Sequence, residues 1–237
     1  MTTFSQITLV CPHCGIKMGA YELMSFTVHK SIVYSDGMTV TEPLLNNDKA
    51  IAICPACKKP LWLEDARLDT EEVSIENLPL AGDIFELPFA LSDTFREELI
   101  QFYVDLLKDG FANTTDRKIY LRLRIWWSIN DFVRYREPIW KLFPQFTSLK
   151  RAKILLTNRR NNHSVFAEFK SLFRENLEKM IAIFKPEHEG EQIMLAEMYR
   201  ELGEMGKAKK ALEGIKIKIS KKIAIAIAGN KKRVMKL

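Results

Sequence analysis

Every cysteine of this 237-residue chain sits in one of two CxxC pairs, Cys11-Pro-His-Cys14 and Cys54-Pro-Ala-Cys57. A CxxC turn points its two sulfurs into one small space. Two such turns supply four thiolates, the tetrahedral all-sulfur set that a structural Zn²⁺ takes. Gly15 and Lys17 after the first pair, and Lys58-Lys59 after the second, bring backbone N–H groups and positive charge to a site that stays negative with its metal bound.

Other uses of the four sulfurs fit less well. A thioredoxin-like redox pair needs a βαβ context that the flanks lack. Two disulfides suit a secreted chain, but Met1-Thr-Thr-Phe-Ser-Gln6 has none of the basic, apolar and cleavage regions of a secretory signal. The 39 residues between Cys14 and Cys54 exceed the spacing of compact zinc fingers, and iron is the alternative metal for the same ligands. His13, between two ligands, reads as a solvent-facing spacer.

Strand-like stretches surround both pairs. Phe4–Val10 leads into the first. Tyr21–Tyr34, rich in β-formers, ends at the turn Ser35-Asp36-Gly37, with Met38–Thr41 returning. Ala50–Ile53 enters the second pair and Leu61–Leu63 leaves it, Trp62 packing beside the metal. This is a zinc ribbon with a β-hairpin inserted between its halves, and the insertion accounts for the long gap. The metal replaces the core that so small a β module lacks.

From Glu64 to Asp93 nine acidic residues face one basic residue, and Pro79 and Pro88 interrupt any helix. Leu78, Leu80, Ile84, Phe85, Leu87, Phe89 and Leu91 are too apolar for a free linker. The segment is expected to pack along the helical domain as an extended arm, with the boundary near residue 75.

Helical periodicity follows. Ser92 caps a helix ending at Asp109-Gly110. Thr115 or Asp116 caps a second, running to about Glu137 with Ile119, Leu123, Trp126, Trp127, Asn130 and Val133 at helical spacing. Lys150–Asn158 is a shorter candidate, and Ser164–Phe184 a long one stopped by Lys185-Pro186. In the tail, Ile215, Ile219, Ile223 and Ile227 make a helical stripe that Gly229-Asn230 caps. The alternating Ile215-Ile217-Ile219 and Ile223-Ile225-Ile227 read equally as strands, and a capping helix is the preferred reading.

Within Met194–Ile215, Leu195 and Ala196, Tyr199 four residues after Leu195, Gly203 at a turn, then Ala208 and Leu212 resemble one tetratricopeptide repeat. The closing Pro of that repeat is replaced by Ser220. Lys118–Ile129 looks like a degenerate relative. In order of parts, the chain resembles a group of uncharacterised bacterial proteins with an N-terminal CPxCG zinc ribbon followed by tetratricopeptide-like helices. That resemblance implies zinc binding and protein contacts, and no reaction.

The expected fold class is therefore α+β: a β zinc ribbon over residues 1–75, then an all-α, tetratricopeptide-like domain over 76–237. No HExxH, GxSxG, GxxxxGK[ST] or GxGxxG is present, and His13, His29, His163 and His188 are scattered. The chain is not expected to be an enzyme, and no apolar run approaches membrane-spanning length. A reduced, cytoplasmic setting follows.

The expected function is a zinc-stabilised adaptor that binds another protein through stacked helices. The competing reading is nucleic-acid binding. Residues 1–91 carry 6 Lys/Arg against 12 Asp/Glu, and residues 92–237 carry 30 against 18. Arg122, Arg124, Arg159, Arg160, Lys231, Lys232 and Arg233 are the candidate phosphate contacts.

Overall fold

The structure is a computed structural model that describes residues 3–42, 50–68, 78–83, 93–134, 148, 153, 164–216 and 218–237. The fold is α+β. Its two compact units are not contiguous in sequence: one comprises residues 1–31 and 40–87, the other 32–39 and 88–237. Among the described residues no helix is long and apolar enough to cross a membrane.

In the first unit, β1 (Thr3–Val10) and β2 (Lys17–Ser25) flank the first cysteine pair, and β5 (Ile51–Ile53) and β6 (Pro60–Trp62) flank the second. Each hairpin gains a third strand. β7 (Arg67–Leu68) pairs antiparallel with β1, and β8 (Gly82–Asp83) pairs antiparallel with β5. The sheet orders are β2-β1-β7 and β6-β5-β8. Alternation of side chains along a strand decides the core. Leu9 faces Met18 across β1 and β2, Ala52 faces Leu61 across β5 and β6, and these four join Cys11, Cys54 and Ala66 in one buried cluster.

Two expectations change here. The strand leaving the first pair is Lys17–Ser25 rather than one beginning at Tyr21. Residues 78–83, expected to lie along the helices, hydrogen-bond into the ribbon: Gly19 N–H donates to the Pro79 carbonyl (3.0 Å) and Ala81 N–H to the Gly19 carbonyl (2.9 Å). The acidic segment thus supplies a strand whose backbone groups satisfy an otherwise open edge, and the unit extends to residue 87 rather than 75.

A second hairpin, β3 (Lys30–Val33) with β4 (Thr39–Glu42), turns at Ser35-Asp36-Gly37 as expected. Its tip, residues 32–39, belongs to the helical unit. Gly37 has φ +83°, a left-handed conformation that favours glycine, and a Cβ there would meet the flexible Met194 methyl at 2.9 Å.

The helical unit contains α1 (Asp93–Lys108), α2 (Thr115–Arg134), α3 (Lys170–Ile183), α4 (Glu189–Leu202), α5 (Met205–Ala211) and α6 (Lys218–Ala228). Each packs on the next in sequence, and α4 also on α6. The cap of α2 is Thr114, whose Oγ1 accepts the Arg117 N–H at 3.2 Å, one residue before the expected Thr115 and two before Asp116. Trp126, Asn130 and Val133 of the expected stripe are buried, together with Leu121, Ile125, Ile129 and Phe132, whereas Ile119, Leu123 and Trp127 are only half-buried.

The expected helix over 164–184 is interrupted at Phe169, between helical residues 164–168 and α3. The tail forms a helix: Ile223 and Ala226 are buried on α6, and Asn230 takes the left-handed conformation that closes it, with Lys231 N–H returning to the Ala226 carbonyl at 2.9 Å. Ser92 and nearly all of 150–158 lie outside the described residues.

The unit's interior holds a chain of charged groups that sequence reasoning missed. Asp36, from the hairpin tip, accepts both Nη atoms of Arg134 at 2.6 Å, and its Oδ2 accepts Asn130 Nδ2 at 2.9 Å. Asn130 also donates to Glu201 at 3.2 Å, and Trp126 Nε1 donates to the same carboxylate at 2.7 Å. Arg200 pairs with Glu197 and lies 3.7 Å from Glu201, and Arg134 Nε donates to Asp131 at 2.7 Å. The Tyr34 ring covers the Arg134 guanidinium at 4.9 Å.

Remaining donors of Arg200 reach the carbonyls of Lys231 and Arg233, drawing the C-terminal stretch inward. There Ser35 N–H donates to the Met235 carbonyl (2.8 Å), and Leu237 N–H to that of Val33 (2.9 Å). Removing one member of a buried ion pair leaves the other uncompensated. Arg134→Met is accordingly expected to lower the stability of the helical unit by about 3–5 kcal/mol, read from chemical denaturation followed by helical circular dichroism.

Carboxylates outnumber guanidiniums along this chain, and their titration follows. Burial pushes Asp131 up to about 6 despite the neighbouring Arg134. Burial, with Glu197 and Asp36 nearby, also raises Glu201 well above the usual carboxylate range. A carboxylate whose folded pKa is raised binds its proton more tightly when folded, so stability falls as pH rises. For Asp131 the fall spans roughly pH 4 to 6, and Glu201 extends it upward. The helical unit is expected to be more stable at pH 5 than at pH 8, and Glu201→Gln to flatten that slope in pH-dependent urea melts.

Candidate metal centre

Two backbone turns of the same design hold the four cysteines. In the first, Gly15 N–H donates to the Cys11 carbonyl (2.9 Å) and Cys11 N–H to that of Ile16 (3.0 Å). In the second, Lys58 N–H donates to the Cys54 carbonyl (3.0 Å) and Cys54 N–H to that of Lys59 (3.0 Å). Both turns need a left-handed residue after the second cysteine. Gly15 supplies it at φ +72°, and Lys58 adopts it at φ +59° against its steric preference.

The turns face each other. Cys11 Sγ is 3.9 Å from Cys57 Sγ, Cys14 Sγ is 3.7 Å from Cys54 Sγ, and all four sulfurs lie within 4.8 Å of one another. Around an ion with metal–sulfur bonds of ~2.3 Å, a regular tetrahedron has edges of about 3.8 Å. The two cross-turn separations of 3.7 and 3.9 Å match that edge, and the cysteines are free thiols. The four-cysteine group predicted from spacing is therefore assembled, and it can hold a metal ion.

The surroundings favour thiolate at Cys54 and thiol at Cys14. Burial pushes the Cys54 thiol up, but the N–H groups of Cys57 and Ala56 and the Cys57 and Cys11 thiols outweigh it and bring Cys54 down to about 6. The Ile16 N–H pulls Cys14 down, yet desolvation and the three neighbouring thiols leave it raised to about 11. Four sulfurs this close cannot all ionise unless a cation sits among them.

His13 is no ligand. It is exposed, and its Nε2 lies 3.0 Å from the Pro60 carbonyl, bracing one turn against the other, so it is more than a spacer. Leu61 belongs to the cluster with the buried cysteines. Trp62, its neighbour on β6, is buried too but falls outside that cluster and pairs with Ile51 across the strands.

Among the described residues, the structure does not bring Arg122 and Arg124 out as phosphate contacts. Arg124 is buried, its guanidinium between the rings of Tyr120 (4.9 Å) and Trp127 (5.4 Å). Half-buried Arg122 donates to Asn176 Oδ1 at 3.3 Å. Both serve the interior. Arg159 and Arg160 lie outside the described residues, whereas Lys231, Lys232 and Arg233 are exposed.

The two left-handed positions give a paired test. No heavy atom lies within 4 Å of a Cβ built on Gly15, so Gly15→Ala meets only backbone strain. Left-handed strain of about 1–2 kcal/mol is expected to be lost in stability there. Lys58→Gly relieves the same strain and is expected to raise the ribbon's midpoint in thermal melts of the metal-loaded protein. Comparison of the chain with protein-family models, with curated proteins and with solved structures found no match.

Proposed function

We propose that the four-cysteine centre binds one Zn²⁺ as a closed structural site and that the chain is an adaptor, in which a zinc ribbon and a tetratricopeptide-like helical unit hold another protein. The observation that carries the zinc reading is the convergence of four sulfurs within 4.8 Å, with 3.7 and 3.9 Å separations between the two turns. Four protein thiolates fill a tetrahedral zinc shell and leave no position for a reacting water, so the metal's work is to hold the turns together. Thiolates must stay reduced to serve, which suits a cytoplasmic protein.

The adaptor reading is supported by surface and by packing. Tyr21 (54% exposed) and Met24 (64%) on β2, with Leu80 (53%), give the ribbon apolar surface of the kind protein partners cover. In the helical unit α4 and α5 form a hairpin turned by left-handed Gly203, with Ala196 and Ala208 fully buried. This is where a tetratricopeptide-like pair requires small residues.

Metal analysis of the purified protein is expected to give one zinc per chain, and Co²⁺ substitution the intense visible bands of a tetrahedral tetrathiolate. Cys54→Ser is expected to lose both and to unfold the ribbon. Octahedral Co²⁺ spectra, or iron as the native metal, would overturn the zinc reading. For the adaptor, Tyr21→Ser/Met24→Ser is expected to abolish capture of the partner retained by the wild-type zinc-loaded chain. Equal retention by both would count against the ribbon surface.

A further inference from the structure

We propose that the α5–α6 region and the stretch after it form a basic face that binds the phosphate backbone of double-stranded nucleic acid without reading its sequence. The inference goes beyond the adaptor reading and is independent of which metal the ribbon holds. Charge is its first support. Residues 205–237 contain eleven Lys/Arg and a single acid, Glu213, leaving 25 Lys/Arg against 29 Asp/Glu for the rest of the chain. The chain's whole positive excess is therefore concentrated in its last 33 residues.

The fold leaves that excess exposed. Lys209 and Lys210 on α5, and Lys221 and Lys222 on α6, are all exposed, and α5 packs directly on α6. Arg200 anchors the carbonyls of Lys231 and Arg233 while their side chains remain exposed. That anchoring brings the Lys232 ammonium to the α4–α5 turn, where a Cβ on Gly203 would lie 2.6 Å from it. Three segments separated in sequence thus contribute exposed cations to one unit.

The chemistry selects among polyanions. Lysine ammoniums on flexible stems are point charges suited to phosphate and poor at reading base edges, which favours contacts that carry no sequence information. Single strands are bound by stacking bases on aromatic side chains, and residues 205–237 contain no aromatic residue. An anionic membrane would be gripped by inserted apolar side chains, but the apolar stripe of α6, Ile223 and Ala226, is buried in the unit, leaving Ile225 as its one large exposed apolar side chain. A duplex offers what remains, a dense and regular array of phosphates.

The test is fluorescence anisotropy of the metal-loaded full chain with a labelled 30-base-pair duplex, a single strand of the same length, and vesicles containing phosphatidylserine. The duplex is expected to bind tightest, with affinity indifferent to sequence. Contact with about six phosphates makes the slope of log affinity against log salt roughly −5. Lys209→Glu/Lys210→Glu and, separately, Lys221→Glu/Lys222→Glu should each weaken binding at least tenfold and flatten the slope, with helical circular dichroism unchanged. Lys179→Glu, an exposed lysine on α3, is the control and should leave binding unaltered. No duplex binding at low salt, tighter binding to single strands or vesicles, or equal loss in the α3 control would overturn the proposal.

Discussion

The ion pair between Asp36 and Arg134, both buried, is the contact on which the helical unit depends. A guanidinium inside a protein is tolerable only with a matched anion and satisfied N–H groups. Arg134 has two carboxylates, the Trp127 carbonyl and the face of Tyr34. Asp36 in turn holds Asn130, which reaches Glu201 and so joins the pair to α4. Ionic groups are a costly way to build a core, and well-packed apolar residues often do as well. What such groups add is geometric selectivity, since only one placement of the hairpin tip satisfies them all.

The ribbon solves the opposite problem. Its core is small: Leu9, Met18, Ala52, Leu61 and Ala66 around two buried cysteines. An apolar cluster of that size gives little margin over chain entropy. Four cysteines converging on one point join the halves at a site that can hold one cation, and hydrogen bonds repeated in both turns fix each sulfur pair. The departures from symmetry, Lys58 where Gly15 stands and exposed Cys14 opposite buried Cys54, show that the second turn carries strain the first avoids.

What was legible in the sequence was local. The cysteine pairs, the Ser35-Asp36-Gly37 turn, the left-handed Gly203 and the closing Asn230 each declare their role within a few residues, because turn geometry and ligand spacing are short-range properties. Apolar stripes were legible less finely: Trp126, Asn130 and Val133 of the expected stripe of α2 are buried, but so are Leu121, Ile125, Ile129 and Phe132, because that helix has neighbours on more than one side. The third strands of the ribbon were hidden: two-residue β7 and β8 show no alternation to read. The buried charges were hidden too. Asn130 in an apolar stripe was the signal, but its meaning rests on Asp36, 94 residues away. Arg122 and Arg124 misled for the same reason, since a basic residue facing inward looks identical in sequence to one facing water.

The hairpin tip that carries Asp36 has a consequence for how the chain is made. Ser35 leaves the ribosome early, yet its hydrogen-bond partner Met235 follows 200 residues later. During synthesis the tip waits, with Asp36 solvated and harmless, until α2 and then α4 appear. Arg134 and Arg200 cannot be sealed in before then without stranding their charge. Closing the helical unit therefore requires loop closure over that long separation before the contacts it makes give any reward.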